Sequence, residues 1–238
     1  MSRRILIVND DGIEADGILR LAKAATRFGE VWVVAPESQR SAASHSITLN
    51  TYIDVYERDF PVPGVKAFAI SGQPADCVRV GVLNVLPEKP DVVFSGINYG
   101  YNAGTDVQYS ATVGAAMEAV FQGIPAIAFS EGTQGGKEIT DRYLEEIIEE
   151  VIDTPYEWGR IVNVNFPEVS MENFQGIQRN VENSRGFMYK DSYTCEELTD
   201  GGRRYRVKGD LQDNAAENTD LRALFDGYIA IGYVYNIH

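Results

Sequence analysis

The stretch Arg4-Ile5-Leu6-Ile7-Val8-Asn9-Asp10-Asp11-Gly12 decides how the rest of the chain is read. A short run of Leu and β-branched residues stops abruptly at four turn-forming residues. From Asp16 to Phe28, the residues Ile18, Leu21, Ala22, Ala25 and Phe28 then recur at helical spacing. The unit is therefore strand, polar loop, helix. It is followed by a second strand, Val31 to Ala35, whose residues are apolar on both faces, as expected where helices cover both sides of a parallel sheet. That strand ends at Pro36 and also runs into a polar loop, Glu37 to Ser46.

Outward from this unit the alternation continues. Ile53, Val55 and Val65 to Ile70 suggest short strands separated by Pro61, Pro63 and Gly64. Ala75 to Leu86 reads as a helix closed by Pro87 and Pro90, and Asp91 to Ser95 as a buried strand. A glycine-rich loop from Gly96 to Ser110 leads into an Ala-rich helix, Thr112 to Gln122, and a further strand, Ile124 to Ser130. Asp141 to Asp153 reads as an acidic helix with Leu144, Ile147, Ile148 and Val151 as its apolar stripe, and Arg160 to Asn165 as a last core strand. The pattern predicts an α/β fold, a Rossmann-like, doubly wound, mostly parallel sheet in three α/β/α layers. Beyond Gln178 the texture becomes polar, Tyr-rich and strand-like, notably at Arg204 to Val207 and Gly227 to Tyr235. Residues 1–178 are read as the core and 179–238 as a C-terminal extension, a β-hairpin arm with a return strand.

With 238 residues, 44% hydrophobic, the chain can bury a full core. Its formal charge, 21 − 35 = −14, repels polyanions and argues against nucleic acid polymers as partners. A phosphorylated substrate would need a local positive centre. The two cysteines, Cys77 and Cys195, give no disulfide framework and fit a reducing compartment. The apolar run after Arg3 and Arg4 is too short for a signal peptide, and no stretch reaches the length of a membrane span. The expectation is a soluble cytoplasmic protein without a membrane partner.

In an open parallel sheet, ligands bind at the carboxyl ends of the strands. Here those ends deliver Asn9, Asp10 and Asp11, then Ser38 to Ser44, then Ser95 and Asn98, then Ser130. Adjacent carboxylates at Asp10 and Asp11 repel unless protons or a cation intervene, and at neutral pH a hard cation is the natural partner. An Asp-Asp-Gly can also serve only as a turn or helix cap, but its place at the end of an apolar strand favours the cation. The remaining candidate ligands are Ser41 and Asn98. With His45 and His238 as the only imidazoles, Mg²⁺, Mn²⁺ or Ca²⁺ with retained waters is favoured over zinc. In the segment from Gly96 to Thr112, glycines allow close backbone approach, Asn102, Ser110 and Thr112 offer donors, and the helix start near Ala111 suits an anion. The alternative is a passive loop ending in an N-cap. A carboxylate-bound metal facing a phosphate cradle is an arrangement for phosphate-ester hydrolysis.

Four segments carry a resemblance. With Ile5 to Gly12 (ILIVNDDG), Val33 to Leu49 (VVAPESQRSAASHSITL), Ser71 to Val78 (SGQPADCV) and Ser95 to Ala116 (SGINYGYNAGTDVQYSATVGAA), the sequence resembles the survival protein SurE family of metal-dependent nucleotidases. The resemblance implies one divalent metal ion per subunit on Asp10, Asp11, Ser41 and Asn98, with Asp10 and Asp11 as the catalytic pair. It implies phosphate contacts from Asn102, Gly104, Ser110 and Thr112, and a loop at Ser44 and His45 that closes over the site. The implied activity is hydrolysis of 5′- and 3′-nucleoside monophosphates by a metal-activated water, extending to other small phosphate esters or short polyphosphate. The implied assembly is a homodimer or homotetramer that exchanges its C-terminal hairpin. Four positions depart from the family pattern: Asp16 for Pro, Ala42 for Gly, His45 for Asn and Ala111 for Gly. Of these, Ala111 places a Cβ where a phosphate would approach.

Two other readings compete. A Mg²⁺-binding receiver-type signalling domain also places an acidic pair after such a strand, but needs a phospho-accepting Asp at a later strand end, where this chain has Ser95, Ser130 and Pro36. A phosphatase with an aspartyl nucleophile would want two Asp residues one position apart, and these are adjacent. His45 is a further candidate as leaving-group acid.

Overall fold

The computed structural model describes residues 3–133 and 137–236, so His238 lies outside it. Its centre is a nine-stranded sheet. In chain order the elements are β1 (Arg4–Val8), α1 (Asp16–Ala25), β2 (Glu30–Pro36), β3 (Val55–Arg58), β4 (Lys66–Ile70), α2 (Pro74–Val80), β5 (Val92–Tyr99), α3 (Ala111–Phe121), β6 (Ala126–Glu131), α4 (Glu138–Val151), β7 (Arg160–Phe166), β8 (Gly176–Val181), β9 (Tyr189–Glu197), β10 (Arg203–Leu211), α5 (Asp220–Phe225) and β11 (Tyr228–Tyr235).

The sheet runs β3-β4-β2-β1-β5-β6-β7-β11-β8. Strands β4, β2, β1, β5, β6 and β7 are mutually parallel, while β3 pairs antiparallel with β4 and β11 antiparallel with β7. Side chains of β1 alternate between two cores. Ile5 and Ile7 join Ile18 and Leu21 of α1 and Ile147 and Ile148 of α4 on one face; Leu6 and Val8 join Cys77 and Val78 of α2 and Ala115, Ala116 and Ala119 of α3 on the other. All four β1 side chains are fully buried, which is why the opening run carries no polar alternation. The chain first builds leftward from β1 to β2 and β4, then returns to β5 on the right, so the strand order reverses between β1 and β5. Such a reversal opens a crevice at the carboxyl ends of the two strands. A close approach fixes its floor: a Cβ at Gly17 of α1 would lie 2.1 Å from the Ile97 carbonyl oxygen of β5.

The structure differs from the sequence reading in several places. β5 continues through the glycines to Tyr99, because its register with β6 shifts between Ser95 and Asn98 and resumes as Asn98 opposite Ser130. The α-helix of α2 ends at Val80 and passes into a π-helical turn over Gly81–Val85. Arg160–Phe166 is not the last strand of the core, since β11 packs beside it and β8 lies beyond β11. β8 spans position 178, and α5 packs with Ala103, Val181, Met188 and Ala230 into a third apolar cluster. Outside the main sheet, β9 and β10 form an antiparallel hairpin from Tyr189 opposite Leu211 to Glu197 opposite Arg203, exposed at every position. Among the described residues no helix is long and apolar enough to cross a membrane.

Candidate active site

The polar side chains at the carboxyl end of the sheet are tied to one another. Asn9 closes the turn after β1, its Nδ2 donating to Gly12 O at 2.8 Å and its Oδ1 accepting from Gly12 N–H at 3.3 Å. The turn presents Asp10, 3% exposed, to the start of α3, where the buried Thr112 hydroxyl donates to Asp10 Oδ1. Ser95 of β5 donates to the Thr112 carbonyl at 2.8 Å and so holds the helix start against the sheet. Asp11 turns the other way. Its Oδ2 accepts the Tyr99 N–H at 3.0 Å, and its Oδ1 faces Gln39 Nε2 at 3.4 Å, which in turn donates to Ser41 Oγ at 2.9 Å. Asn98 donates through Nδ2 to Gly100 O at 2.8 Å, which leaves its amide oxygen to act as a ligand. Asp11 is thus linked to Ser41 through Gln39 and to the residue after Asn98 through the Tyr99 amide, while Asp10 is held by Thr112.

Burial pushes Asp10 up to about 6; the Thr112 hydrogen bond opposes the shift and the Asp11 charge adds to it. Burial also raises Asp11, against the Tyr99 N–H. Among the described residues no Lys, Arg or His is one of the groups shifting either carboxylate, so two desolvated carboxylates stand side by side with no counter-ion from those residues. A divalent cation bound here would supply the missing counter-charge. Two carboxylates with hydroxyl and amide oxygens suit a hard cation that keeps some of its water.

The expected phosphate contacts are all engaged within the chain. Asn102, 3% exposed, donates to Ser130 Oγ at 2.7 Å, while its main chain is held by Asn163 and Asn165 of β7. Gly104 N–H donates to Asp220 Oδ2 at 2.9 Å. Ser110 is the N-cap of α3 and accepts from Val113 N–H at 3.0 Å. Thr112 stands behind Asp10. The Ala111 methyl is fully buried.

His45 is turned toward α3. Its Nε2 lies 2.9 Å from Glu118 Oε2 and its ring stacks on Phe121 at 5.5 Å. Glu118, 5% exposed, also accepts from Arg79 at 3.2 Å and Gln122 at 2.8 Å. Burial pushes the Glu118 carboxyl up, but His45, Gln122 and Arg79 outweigh it and hold it below its usual range. Ser44 N–H donates to Tyr109 O at 3.0 Å, so the loop is pinned beside the start of α3. These partners latch His45 onto α3.

Sequence reasoning did not find Gln39, the Tyr99 amide or Asp220. The pair Asn163 and Asn165 did carry a signal: two polar residues at i and i+2 put an amide face on an otherwise apolar strand.

The family model for survival protein SurE matches residues 5–187. The chain belongs to the SurE family. The "5'-nucleotidase SurE" of Thermoanaerobacter pseudethanolicus is 39% identical over 236 residues, covering 96% of this chain and 90% of that one. The protein of the same name from Clostridium beijerinckii is 37% identical over 232 residues, 95% and 90% of the two chains. The crystal structure of the SurE protein from Aquifex aeolicus superposes with a TM-score of 0.83 at 33% identity, covering 98% of this chain and 93% of that one. The SurE model stops two residues before β9, whereas the similarity to individual SurE relatives runs on through most of the C-terminal part. SurE proteins are metal-dependent nucleotidases as a family, and the carboxylate pair is the feature of this chain that fits that dependence.

Proposed function

We propose that this chain is a metal-dependent phosphoric monoester hydrolase that converts 5′- and 3′-nucleoside monophosphates to nucleoside and phosphate, with secondary action on other small phosphate esters or short polyphosphate. The observation that carries the reading is the uncompensated pair Asp10 and Asp11 at the β1/β5 crevice, opposite the start of α3. Asp10, Asp11, Ser41 and Asn98 would hold one Mg²⁺, Mn²⁺ or Ca²⁺ ion per subunit. A divalent cation bound there lowers the pKa of water and withdraws charge from a phosphoryl oxygen.

The chain's own groups do the rest. Thr112 and the Tyr99 amide fix the two carboxylates in rotation, so that little reorganisation is needed when charge develops. The loop from Asn102 to Ser110 and the first turn of α3 receive the phosphate. A groove of about 780 Å³ opens beside Gly100 and Tyr101, walled by Asp106, Glu168, Met188 and Tyr189. Its size suits a nucleoside, its aromatic and apolar walls suit a base, and its carboxylates suit ribose hydroxyls. With no Lys or Arg lining it among the described residues, it favours an uncharged nucleoside over a second phosphate. The exposed hairpin is read as the arm exchanged in a homodimer or homotetramer, and the protein as cytoplasmic.

Phosphate release from a panel of nucleoside monophosphates by metal-stripped protein, with each of the three metals restored, tests the reading. Activity indifferent to metal and to Asp11→Asn would overturn it. A trapped phosphoenzyme would favour an aspartyl nucleophile instead.

A further inference from the structure

Both roots of the exposed hairpin return to one point of the phosphate loop. Residues 183–186 lead into β9, and residues 212–220 lead out of β10 to the first residue of α5, Asp220. Asp220 is 3% exposed and its two oxygens accept four hydrogen bonds. Oδ2 takes Gly104 N–H at 2.9 Å and Asn183 Nδ2 at 2.8 Å; Oδ1 takes Ser184 N–H at 2.9 Å and Leu221 N–H at 2.7 Å. Beside this knot, Thr105 N–H donates to Gly186 O at 3.1 Å. Gly104 has φ +58°, and a Cβ there would lie 2.6 Å from Gly186 O and 2.9 Å from Leu221 Cδ1, so loop and clasp touch without slack.

From Gly104 the chain passes through a 3₁₀ turn to Ser110, whose N–H donates to Asp106 O at 3.2 Å, and then into α3. Displacement of Gly104 is therefore carried to the helix start. A carboxylate with four donors has no lone pair left to spend on a ligand and no room to approach one. Its burial raises its pKa, the four donors pull it back, and what remains is a fixed anchor.

We propose that Asp220 is a positioning residue for phosphate binding, which couples the seating of the C-terminal hairpin to the shape of the phosphate loop at Gly104 and Thr105. The proposal rests on the reading of residues 102–112 as the phosphate site. It assigns a role in the reaction to a residue far from the metal ligands in sequence and outside the segments that carry the family resemblance.

The test uses the full chain with Asp220→Asn, which keeps the shape but replaces one acceptor oxygen by a donor, and Asn183→Ala, which removes the amide that donates to Asp220 Oδ2 and, at 3.4 Å, to Gly104 O, while the three main-chain donors to Asp220 stay. Calorimetry gives the affinity of the Mn²⁺-loaded protein for inorganic phosphate and, separately, the affinity for Mn²⁺. Hydrogen exchange on chelator-treated protein reports residues 103–110 without any turnover. We expect Asp220→Asn to weaken phosphate binding by roughly 10-fold or more, the scale seen when a group one bond behind a ligand is lost. Mn²⁺ affinity should be unchanged, exchange at 103–110 should quicken, and KM should rise more than kcat falls. Should Asp220→Asn fail to fold, Asn183→Ala decides, with a smaller change in the same direction. Unchanged phosphate affinity in a folded variant, or a parallel loss of Mn²⁺ affinity, would overturn the proposal. A wild-type protein that binds no inorganic phosphate would instead overturn the phosphate reading of the loop, whatever the exchange data show.

Discussion

Replacing Asp10 by Asn should destroy activity and, in metal-free protein at neutral pH, raise stability. Burial moves the Asp10 pKa from 3.8 to about 6, a difference of about 2 units, and each unit is worth about 1.36 kcal/mol. Keeping this carboxylate ionised in the folded, metal-free protein therefore costs about 3 kcal/mol. Asn avoids that cost, retains an oxygen for the Thr112 hydroxyl, and loses roughly 1 kcal/mol for an amide nitrogen without a designed partner. The net gain of about 2 kcal/mol corresponds to a melting temperature higher by roughly 4–8 °C for a chain of this size. The sign with pH follows from the raised pKa: the cost is absent below the unfolded value and complete above the folded one. The variant's advantage should accordingly be full near pH 8 and gone near pH 4. Restoring Mn²⁺ should reverse the order, because ligand binding stabilises only the protein that binds it. Calorimetric unfolding with chelator and with Mn²⁺, at both pH values, measures all of this. Phosphate release should fall by about 10²-fold or more, on the order of 2.7 kcal/mol of transition-state stabilisation. An Asp10→Asn protein destabilised equally at pH 8 and pH 4 in chelator would refute the burial argument.

Thr112→Val keeps the volume and removes the donor to Asp10; Mn²⁺ affinity by calorimetry should drop roughly 10-fold, since the carboxylate loses its orientation. Gly17→Ala pushes a methyl against the Ile97 carbonyl one residue before Asn98 and should cost about 1–3 kcal/mol in denaturant unfolding, with weaker metal binding as well. His45→Asn should leave the pH profile of kcat/KM unchanged in shape, because the imidazole pairs with Glu118 and not with the acidic centre. Glu118→Gln should lower stability at neutral pH; Glu118 is held below its usual pKa, so its contribution is present above the unfolded value, and the difference from wild type should vanish as pH falls through the folded one in thermal melts. Replacing residues 190–210 by a short Gly linker should leave the monomer's unfolding almost unchanged, since every position of β9 and β10 is exposed; if the hairpin is the exchanged arm proposed above, the full chain should sediment as an oligomer and the shortened one as a monomer.

What could be read from the sequence depended on whether an element's environment repeats at short range. β1 has the bounds expected of it, because an apolar run bounded by Asn9 and Asp10 needs no partner to be recognised. The carboxylate pair was legible for the same reason: two adjacent carboxylates at a strand end are a local conflict. The C-terminal hairpin was legible from its polar, Tyr-rich texture, but the bounds of β9 were not, because a strand exposed on both sides, Tyr189–Glu197, shows no apolar alternation. α5, six residues long, offers too few turns for a periodicity. A strand near Gly227 to Tyr235 was visible, but its place between β7 and β8 was not, since strand order is set by pairing over a long range of sequence. Gln39 and Asp220 escaped because each matters through a bond to a loop made elsewhere in the chain.

The position of β11 has a consequence for how the molecule is made on the ribosome. The strand that leads into Asp10 and Asp11 and the strand that carries Asn98 pair with segments synthesised early, so β1, β2, β5 and β6 can assemble while translation continues. β7 and β8 cannot complete their pairing until residues 228–235 emerge to lie between them. Until then the nascent chain carries an apolar edge, Ile161 to Phe166, with its hydrogen-bonding groups unpaired. A message truncated before codon 228 would release a polypeptide with Asp10, Asp11 and Asn98 in hand and a sticky margin open, material for chaperones and proteases rather than for catalysis.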